Sequence, residues 1–194
     1  MGTGRGTLLL FAVVVITAVS TGPTAARPSR KGPRYPLSVA GIVVGKSTDS
    51  DVRRMYGDGF FVRDEGHGGG RYFVNPKHRV TLHSEIGVDH VIESVSYGRG
   101  IRLPRTLKAA AVVAKATSAR LTPDKRLWPG FRLEERAGTI LRRFGKPRSD
   151  RRSGSRRIVW YEADFHSMPG VLVYEAELHF ENDRLVLVKL HNGC

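Results

Sequence analysis

The chain of 194 residues contains a single cysteine, Cys194, at its last position. One thiol cannot form a disulfide within the chain, so a hydrophobic core alone must hold the fold, which a chain of this length can build. Spaced cysteine clusters of the kind that bind structural zinc are excluded as well. His191 is the one nearby base, and we do not expect Cys194 to be a catalytic nucleophile.

Long apolar runs are also scarce, and the most extended one covers residues 8–19, LLLFAVVVITAV. A run of this length is too short for a bilayer, which needs about 20 residues. Arg5 precedes it, and Thr24-Ala25-Ala26 supplies the small residues of a signal-peptidase site. We therefore expect residues 1–26 to be a signal peptide and the protein to be secreted or periplasmic after cleavage near Ala26, with no membrane span in the mature chain. An uncleaved anchor is the alternative.

Acidic residues are few, with 18 Asp and Glu against 32 Lys and Arg and a net charge of +14. Such a balance favours anionic partners, for example cell-surface polymers, acidic lipid head groups or acidic proteins. The densest basic segment is 146–157, KPRSDRRSGSRR, which we predict to be a loop. Guanidinium groups can bind phosphate or carboxylate with two hydrogen bonds. The candidate anion-binding residues are Arg151, Arg152, Arg156 and Arg157, and a solvated loop is the alternative interpretation.

A short unit occurs twice, since residues 51–57 (DVRRMYG) match residues 139–145 (TILRRFG). Both copies carry apolar residues at the i, i+3 and i+4 spacing of a short helix, and both end at a glycine. Alternating apolar and polar residues after each copy predict strands with one buried and one wet face. The predicted strands are 71–75, 79–86 and 91–97 in the first unit and 156–162, 171–180 and 184–190 in the second.

These patterns predict an α+β fold of two tandem repeats, each a helix followed by an antiparallel meander, joined by a linking helix. Residues 27–40 form a basic linker, and residues 41–104 form the first repeat. An Ala-rich helix at 106–121 lies within a linking segment, 105–129, and residues 130–194 form the second repeat.

Two stretches carry a resemblance to known families, ILRRFGKP at 140–147 and FENDRLVLV at 180–188. They resemble the BamE/SmpA–OmlA family and the β-lactamase-inhibitor-protein-like (BLIP-like) fold, and the tandem arrangement is more similar to the inhibitor proteins. The chain lacks the lipobox cysteine of the first group and the disulfides of the second. The resemblance implies a binding surface on the open face of the sheet and no catalysis; no functional residue is carried over from either family.

Polar side chains on the wet faces of the predicted strands are the candidate partner-binding residues, together with one aromatic anchor. They are His83, Glu85, Trp160, Glu175, Glu177 and His179. The leading hypothesis is an exported, non-enzymatic protein-binding module, such as an inhibitor or an envelope assembly adaptor, whose partner is another extracytoplasmic protein. The alternatives are a secreted protein that binds an anionic envelope polymer or acidic lipid, and a small metal-dependent hydrolase.

Three further motifs are weaker signs of chemistry. Residues 40–47, AGIVVGKS, fit a relaxed P-loop pattern, but the run GIVV suits a strand, and Thr48 with Asp51 predicts a helix-capping box instead. His83 and His179 could share a metal only if the repeats brought them together. Residues 64–70, DEGHGGG, combine acids and imidazole in a glycine-rich tip that lacks fixed geometry. We predict no nucleotide, no metal, no cofactor and no catalytic residues.

Overall fold

The computed structural model describes residues 38–63, 68–108, 110–125, 130–164 and 173–193. The predicted signal peptide at 1–26, most of the basic linker at 27–40, part of the glycine-rich tip and Cys194 lie outside these ranges. Ser38 to Ala40, at the end of the predicted linker, form a strand and its turn, and Val39 and Ala40 are buried.

Within the described ranges, the chain begins with strands β1 (Ser38–Val39) and β2 (Ile42–Val43) and helix α1 (Asp49–Tyr56). A meander follows, formed by β3 (Phe60–Val62), β4 (Gly69–Asn75), β5 (Val80–Ile86) and β6 (Ile92–Gly98). A 3₁₀ turn (Arg105–Lys108), helix α2 (Ala110–Ala116) and helix α3 (Ala137–Phe144) come next. The second meander consists of β7 (Ser149–Ser153), β8 (Arg156–Asp164), β9 (Val173–Glu181) and β10 (Arg184–Gly193).

Strands β3 to β10 form one continuous antiparallel sheet of eight strands in the order β3-β4-β5-β6-β10-β9-β8-β7. The predicted architecture of two repeats joined by a linking helix is therefore wrong: the chain is mostly antiparallel sheet. The junction is the pairing of β6 with β10, in which Tyr97 lies opposite Val188. This pairing satisfies backbone groups that would otherwise form two exposed strand edges, and it lets both meanders share one core.

The short helices confirm the local predictions from the repeated motif. Thr48 is the N-cap of α1, and a capping box joins it to Asp51, because each side chain accepts a hydrogen bond from the other residue's backbone N–H. Helices α1 and α3 end at Gly57 and Gly145, whose φ angles are +93° and +83°. Glycine adopts such angles without steric cost, so it ends both helices.

One contiguous hydrophobic core lies between the sheet and the helices α1 and α3, which pack against the same face. Tyr56 of α1 contacts Phe73 of β4, and Phe144 of α3 contacts Tyr161 of β8. The largest fully buried side chains include Phe73, Leu82, Tyr97, Phe131, Ile140 and Phe180. We call this side of the sheet the helical face. The helices of the described ranges all fall short of the length and hydrophobicity that a transmembrane helix requires.

The predicted linking helix at 106–121 is also wrong in extent. The helical part is the 3₁₀ turn and α2, after which the chain extends and Ser118 donates its backbone N–H to the carbonyl oxygen of Val74 at 3.0 Å. Thr117 forms a bridge with the free edge of β4 beside it. Pairing with an exposed strand edge outweighs the helix propensity of the Ala-rich segment, since propensity is a weak preference.

The prediction that the basic segment 146–157 is a loop is wrong. The segment contains strand β7 and the start of β8. The two strands form a hairpin in which Ser153 lies opposite Arg156, and Gly154 in the turn has φ +57°. Strand β7 is the last strand of the sheet. It is short and charged, a composition that opposes further edge-to-edge pairing.

Candidate functional site

The face of the sheet opposite α1 and α3 carries a row of directly opposed residues that crosses all eight strands. The row consists of Phe60, Tyr72, His83, Ser96, Lys189, Glu177, Trp160 and Ser149. We call this the central row and the surface that carries it the open face. Because residues that are direct partners in adjacent strands point to the same side, this row defines one continuous surface.

Two further rows flank the central row on the open face. The glutamate row consists of Val62, Gly70, Glu85, Ser94, His191, Glu175 and Glu162. The third row consists of Val74, Thr81, Gly98, Leu187, His179, Ile158 and Arg151. The six residues predicted to bind a partner all lie in these three rows, so the structure places them on one surface. Their role in binding stays a prediction.

Helix α2 covers one end of the open face. Ala116 packs against Val74, and Phe60 and Tyr72 lie partly buried beside them. The described residues place no other helix on this face, which leaves the side chains of β5, β6, β10, β9 and β8 accessible between α2 and the edge strand β7.

A network of charged side chains lies where β9 and β10 meet. The Nζ atom of Lys189 is 3.4 Å from both carboxylate oxygens of Glu177, and the Nε2 atom of His179 contacts the same carboxylate. Burial lowers the pKa of His179, while the adjacent Glu177 opposes that shift. These contacts hold the three side chains in place.

Trp160 is half-buried on the open face and is not part of the core. The guanidinium carbon of Arg148 lies 5.2 Å from the centre of its ring, and Arg148 also forms an ion pair with Glu162. Ile158, two residues earlier on the same strand, is 37% exposed. The two side chains form a small apolar area on β8 between Glu162 and Arg156, which is the composition of an anchor site in protein interfaces.

An open depression of about 390 Å³ lies on the open face at β3, β4 and β5, the end of the sheet far from Trp160. Its lining residues are Val62, Arg63, Gly69, Gly70, Tyr72, His83, Glu85 and Glu93. The rings of Tyr72 and His83 stack with centroids 4.1 Å apart. Burial lowers the pKa of His83, and the nearby Glu85 opposes that shift. A Cβ atom at Gly70 would lie 2.6 Å from Nε2 of His83, so the position requires glycine for the imidazole to lie there.

Two carboxylates border this depression. The Ser94 hydroxyl donates a hydrogen bond to Oε2 of Glu85 at 2.5 Å, which fixes that carboxylate. Glu85 pairs with Ser94 and Ile86 pairs with Ile92, so Glu93 is the extra residue of a β-bulge. A bulge redirects a side chain out of the regular alternation, and here it brings Glu93 to the depression.

Sequence reasoning missed several residues of this region, among them Tyr72, Gly70 and Glu93. The run Gly68-Gly69-Gly70 before an alternating strand was an available signal for a close contact at β4. The bulge at Glu93 has no such signal, because it depends on how β5 and β6 are paired.

The four arginines of the basic hairpin do not form one cluster. The side chains of Arg151 and Arg156 lie on the open face, whereas those of Arg152 and Arg157 lie on the helical face. Arg157 donates two hydrogen bonds to Asp150, at 2.8 and 2.6 Å, and this contact lowers the pKa of Asp150. The anion-binding role of the four residues stays a prediction.

The structure also argues against the metal site at His83 and His179 and against a P-loop at residues 40–47. His83 and His179 lie on β5 and β9 with two strands between them, about 14 Å apart across the sheet. They cannot bind one metal ion, and the described residues contain no group of three or more potential ligands. In the P-loop-like segment, Gly45 donates its N–H to Ile92 and Ser47 donates to Val43, both at 2.8 Å, so these amides do not face a phosphate.

No protein-family model matches this sequence, and no curated protein matches it. The chain is similar to the crystal structure of YjgB, a DUF4309 family protein from Bacillus subtilis. The two share 14% sequence identity with a TM-score of 0.43, and the match covers 84% of this chain and 90% of YjgB. At that level of similarity, neither protein supports an inference about the other. The resemblance to the BamE and BLIP-like groups stays a prediction from the sequence motifs.

Proposed function

We propose that the protein is an exported, non-enzymatic binding module that holds another extracytoplasmic protein across the open face. The observation that carries this proposal is the continuity of the sheet through β6 and β10. It combines the polar and aromatic side chains of both meanders into three adjacent rows on one rigid surface. Regular strands position side chains more precisely than loops do, which favours specific recognition.

The side chains of the open face are already held in place without a partner. Tyr72 stacks on His83, Lys189 binds Glu177, and Arg148 lies over Trp160. Ordering flexible side chains costs free energy on binding, so contacts that order them in advance favour affinity. Trp160 and Ile158 supply the apolar centre that such an interface needs.

The same contacts argue against catalysis at this surface. Within the described residues, no hydrogen bond joins His83 or His179 to a hydroxyl or thiol, as a nucleophile and its base would require. His83 stacks on a phenol ring, and His179 lies against a carboxylate.

Site-specific photo-crosslinking in the source cells tests the proposal. A photoreactive amino acid at Ser96, in the middle of the open face, should form an adduct with one discrete protein. The same amino acid at Arg142, exposed on α3, is the matched control and should not form that adduct. Trp160→Ala should reduce the Ser96 adduct several-fold while the protein stays folded, as measured by circular dichroism. Identical adducts from both positions, or none from Ser96, would contradict the proposal.

Binding of an anionic envelope polymer is a second candidate, favoured by the exposure of the basic hairpin. The side chains of Arg152 and Arg156 are 68% and 79% exposed, and their nearest carboxylates are 4.0 Å away. If this candidate holds, changing Arg151, Arg152 and Arg156 to Glu should abolish salt-dependent retention on immobilised dextran sulfate. Changing the helix residues Arg54, Arg142 and Arg143 to Glu alters the net charge by the same amount. This control variant should retain part of the binding to dextran sulfate.

A further inference from the structure

The glutamate row has the opposite charge character to the rest of the protein. In a chain with a net charge of +14, Glu162 and Glu175 lie directly opposite each other on β8 and β9, and Glu85 lies in the same row on β5. Like charges on directly opposed residues are destabilising in a sheet. The row therefore concentrates negative charge at a cost to stability.

The cations on the open face neutralise only part of this charge. Arg148 forms an ion pair with Glu162, and Lys189 forms one with Glu177 in the central row. Among the described residues, neither Glu85 nor Glu175 has a cationic partner. Two carboxylates of the open face are thus available to a partner's cations.

The depression beside Glu85 is lined by two carboxylates, Glu85 and Glu93, and by one cation, Arg63, so the carboxylates outnumber the cation. Glu85 and Glu93 supply carboxylates at its border, and the Ser94 hydroxyl already holds Glu85. The stacked rings of Tyr72 and His83 form a wall against which the methylene groups of a lysine or arginine can pack. Gly70 leaves the depression free of a β4 side chain at that position, where a Cβ atom would meet the imidazole of His83.

We propose that the open face binds a different protein whose surface presents two lysine or arginine side chains about 14 Å apart, one entering the depression between Glu85 and Glu93 and one beside Glu175. The spacing follows from the three strand intervals between β5 and β9. The inference rests on the proposed function, since it specifies the chemistry of the partner at the same surface. Complementary charge of this kind sets specificity and orientation in protein interfaces.

A peptide titration followed by NMR tests the charge preference without knowledge of the partner. The probe is a blocked peptide, Ser-Lys-Ser-Ser-Ser-Lys-Ser, whose lysines lie about 13 Å apart when it is extended. Saturable shift changes are expected at the backbone amides of residues 85, 94 and 175, and the peptide with Glu in place of Lys should cause none. The protein as a whole repels a cationic peptide, so binding at these residues must be local.

Two variants separate this site from general electrostatics. Glu85→Gln combined with Glu175→Gln should weaken the affinity for the lysine peptide at least tenfold. Glu135→Gln, on the helical side, changes the same kind of group and should leave the peptide affinity within twofold of wild type. An equal loss in the Glu135 variant, or shift changes centred on α1 or α3, would overturn the proposal.

The Ser96 crosslink separates failure of this inference from failure of the proposed function. If the adduct forms in the wild type and persists unchanged in the Glu85→Gln, Glu175→Gln variant, the proposed binding function is supported. The inference that the partner presents cationic side chains to these glutamates is then wrong. If the lysine peptide binds as expected but no Ser96 adduct forms, the proposed function is wrong. An adduct that consists of two copies of this chain would overturn the assignment to a different protein.

Discussion

The two faces of the same sheet differ in what their side chains contact, and neighbouring residues show the difference most directly. Leu82 and His83 are consecutive in β5, yet Leu82 is fully buried in the core while His83 lies on the open face beside the depression. The helical face is a continuous apolar surface shared by both meanders. The open face carries polar and charged side chains together with the small apolar area of Trp160 and Ile158. One face therefore supplies the core, and the other remains partly exposed to solvent.

The main polar exception on the helical face is satisfied internally. Arg71 is almost fully buried and donates two hydrogen bonds to Asp49 at the start of α1, at 2.6 and 2.8 Å. Its guanidinium also lies against the ring of Phe61 and donates to the backbone carbonyl of Asp58. This ion pair connects α1 to β4. The charged groups of the open face, by contrast, remain partly accessible.

The largest effect is expected on the helical face, from Arg71→Ala. The change leaves the partly buried carboxylate of Asp49 without its partner, so the free energy of unfolding should fall by about 3–5 kcal/mol. Urea denaturation followed by circular dichroism measures this. Arg53→Ala removes an exposed ion pair with Asp58 and serves as the control, with little expected change. If the two variants were equally stable, the buried pair would not anchor α1.

Substitutions at Leu82 and His83 compare the two faces within one strand. Leu82→Ala should cost about 2–5 kcal/mol, because it opens a cavity in the core. His83→Ala removes the stack on Tyr72 and should cost about 0.5–1.5 kcal/mol. Thermal or urea unfolding of both variants provides the measurement. Equal losses of stability would show that the open face belongs to the core after all.

The smallest expected effect is a pH dependence that arises on the open face. Burial lowers the pKa values of His83 and His179, so the unfolded chain binds protons at these positions at higher pH than the folded protein. The free energy of unfolding should therefore decrease as the pH falls below about 6.5, the ordinary histidine value. Replacement of both histidines by Gln should flatten this part of the stability curve between pH 7.5 and 5. A slope unchanged by the replacement would assign the pH dependence to other groups.

The short helices and tight turns were predictable because local contacts determine them. The capping box of Thr48 and Asp51 spans three residues, and the glycines that end α1 and α3 act through their own backbone angles. The turn between β9 and β10 is similar, since Asn182 and Asp183 both have positive φ angles, +48° and +62°, as a two-residue hairpin turn requires.

The edge strands and the linking segment were not predictable from the same patterns. Strand β7 has the sequence Ser-Asp-Arg-Arg-Ser, which shows no alternation of apolar and polar residues. The reason is that neither side of this exposed edge strand is buried. The Ala-rich segment before residue 121 favours a helix locally, but Thr117 and Ser118 pair with β4 instead. In both places the deciding partner is distant in the chain.

By itself, the sequence determined which side chains share a face within each strand, as in His83 with Glu85 and Glu175 with Glu177 and His179. The period of two in side-chain direction follows from the backbone of a single strand. Only the tertiary structure decided that both sets lie on one surface, that Glu93 leaves the alternation, and that the basic hairpin divides between two faces. These features depend on the pairing of β6 with β10, of β5 with β6 and of β7 with β8, and backbone hydrogen bonds between strands are the same for almost every residue type.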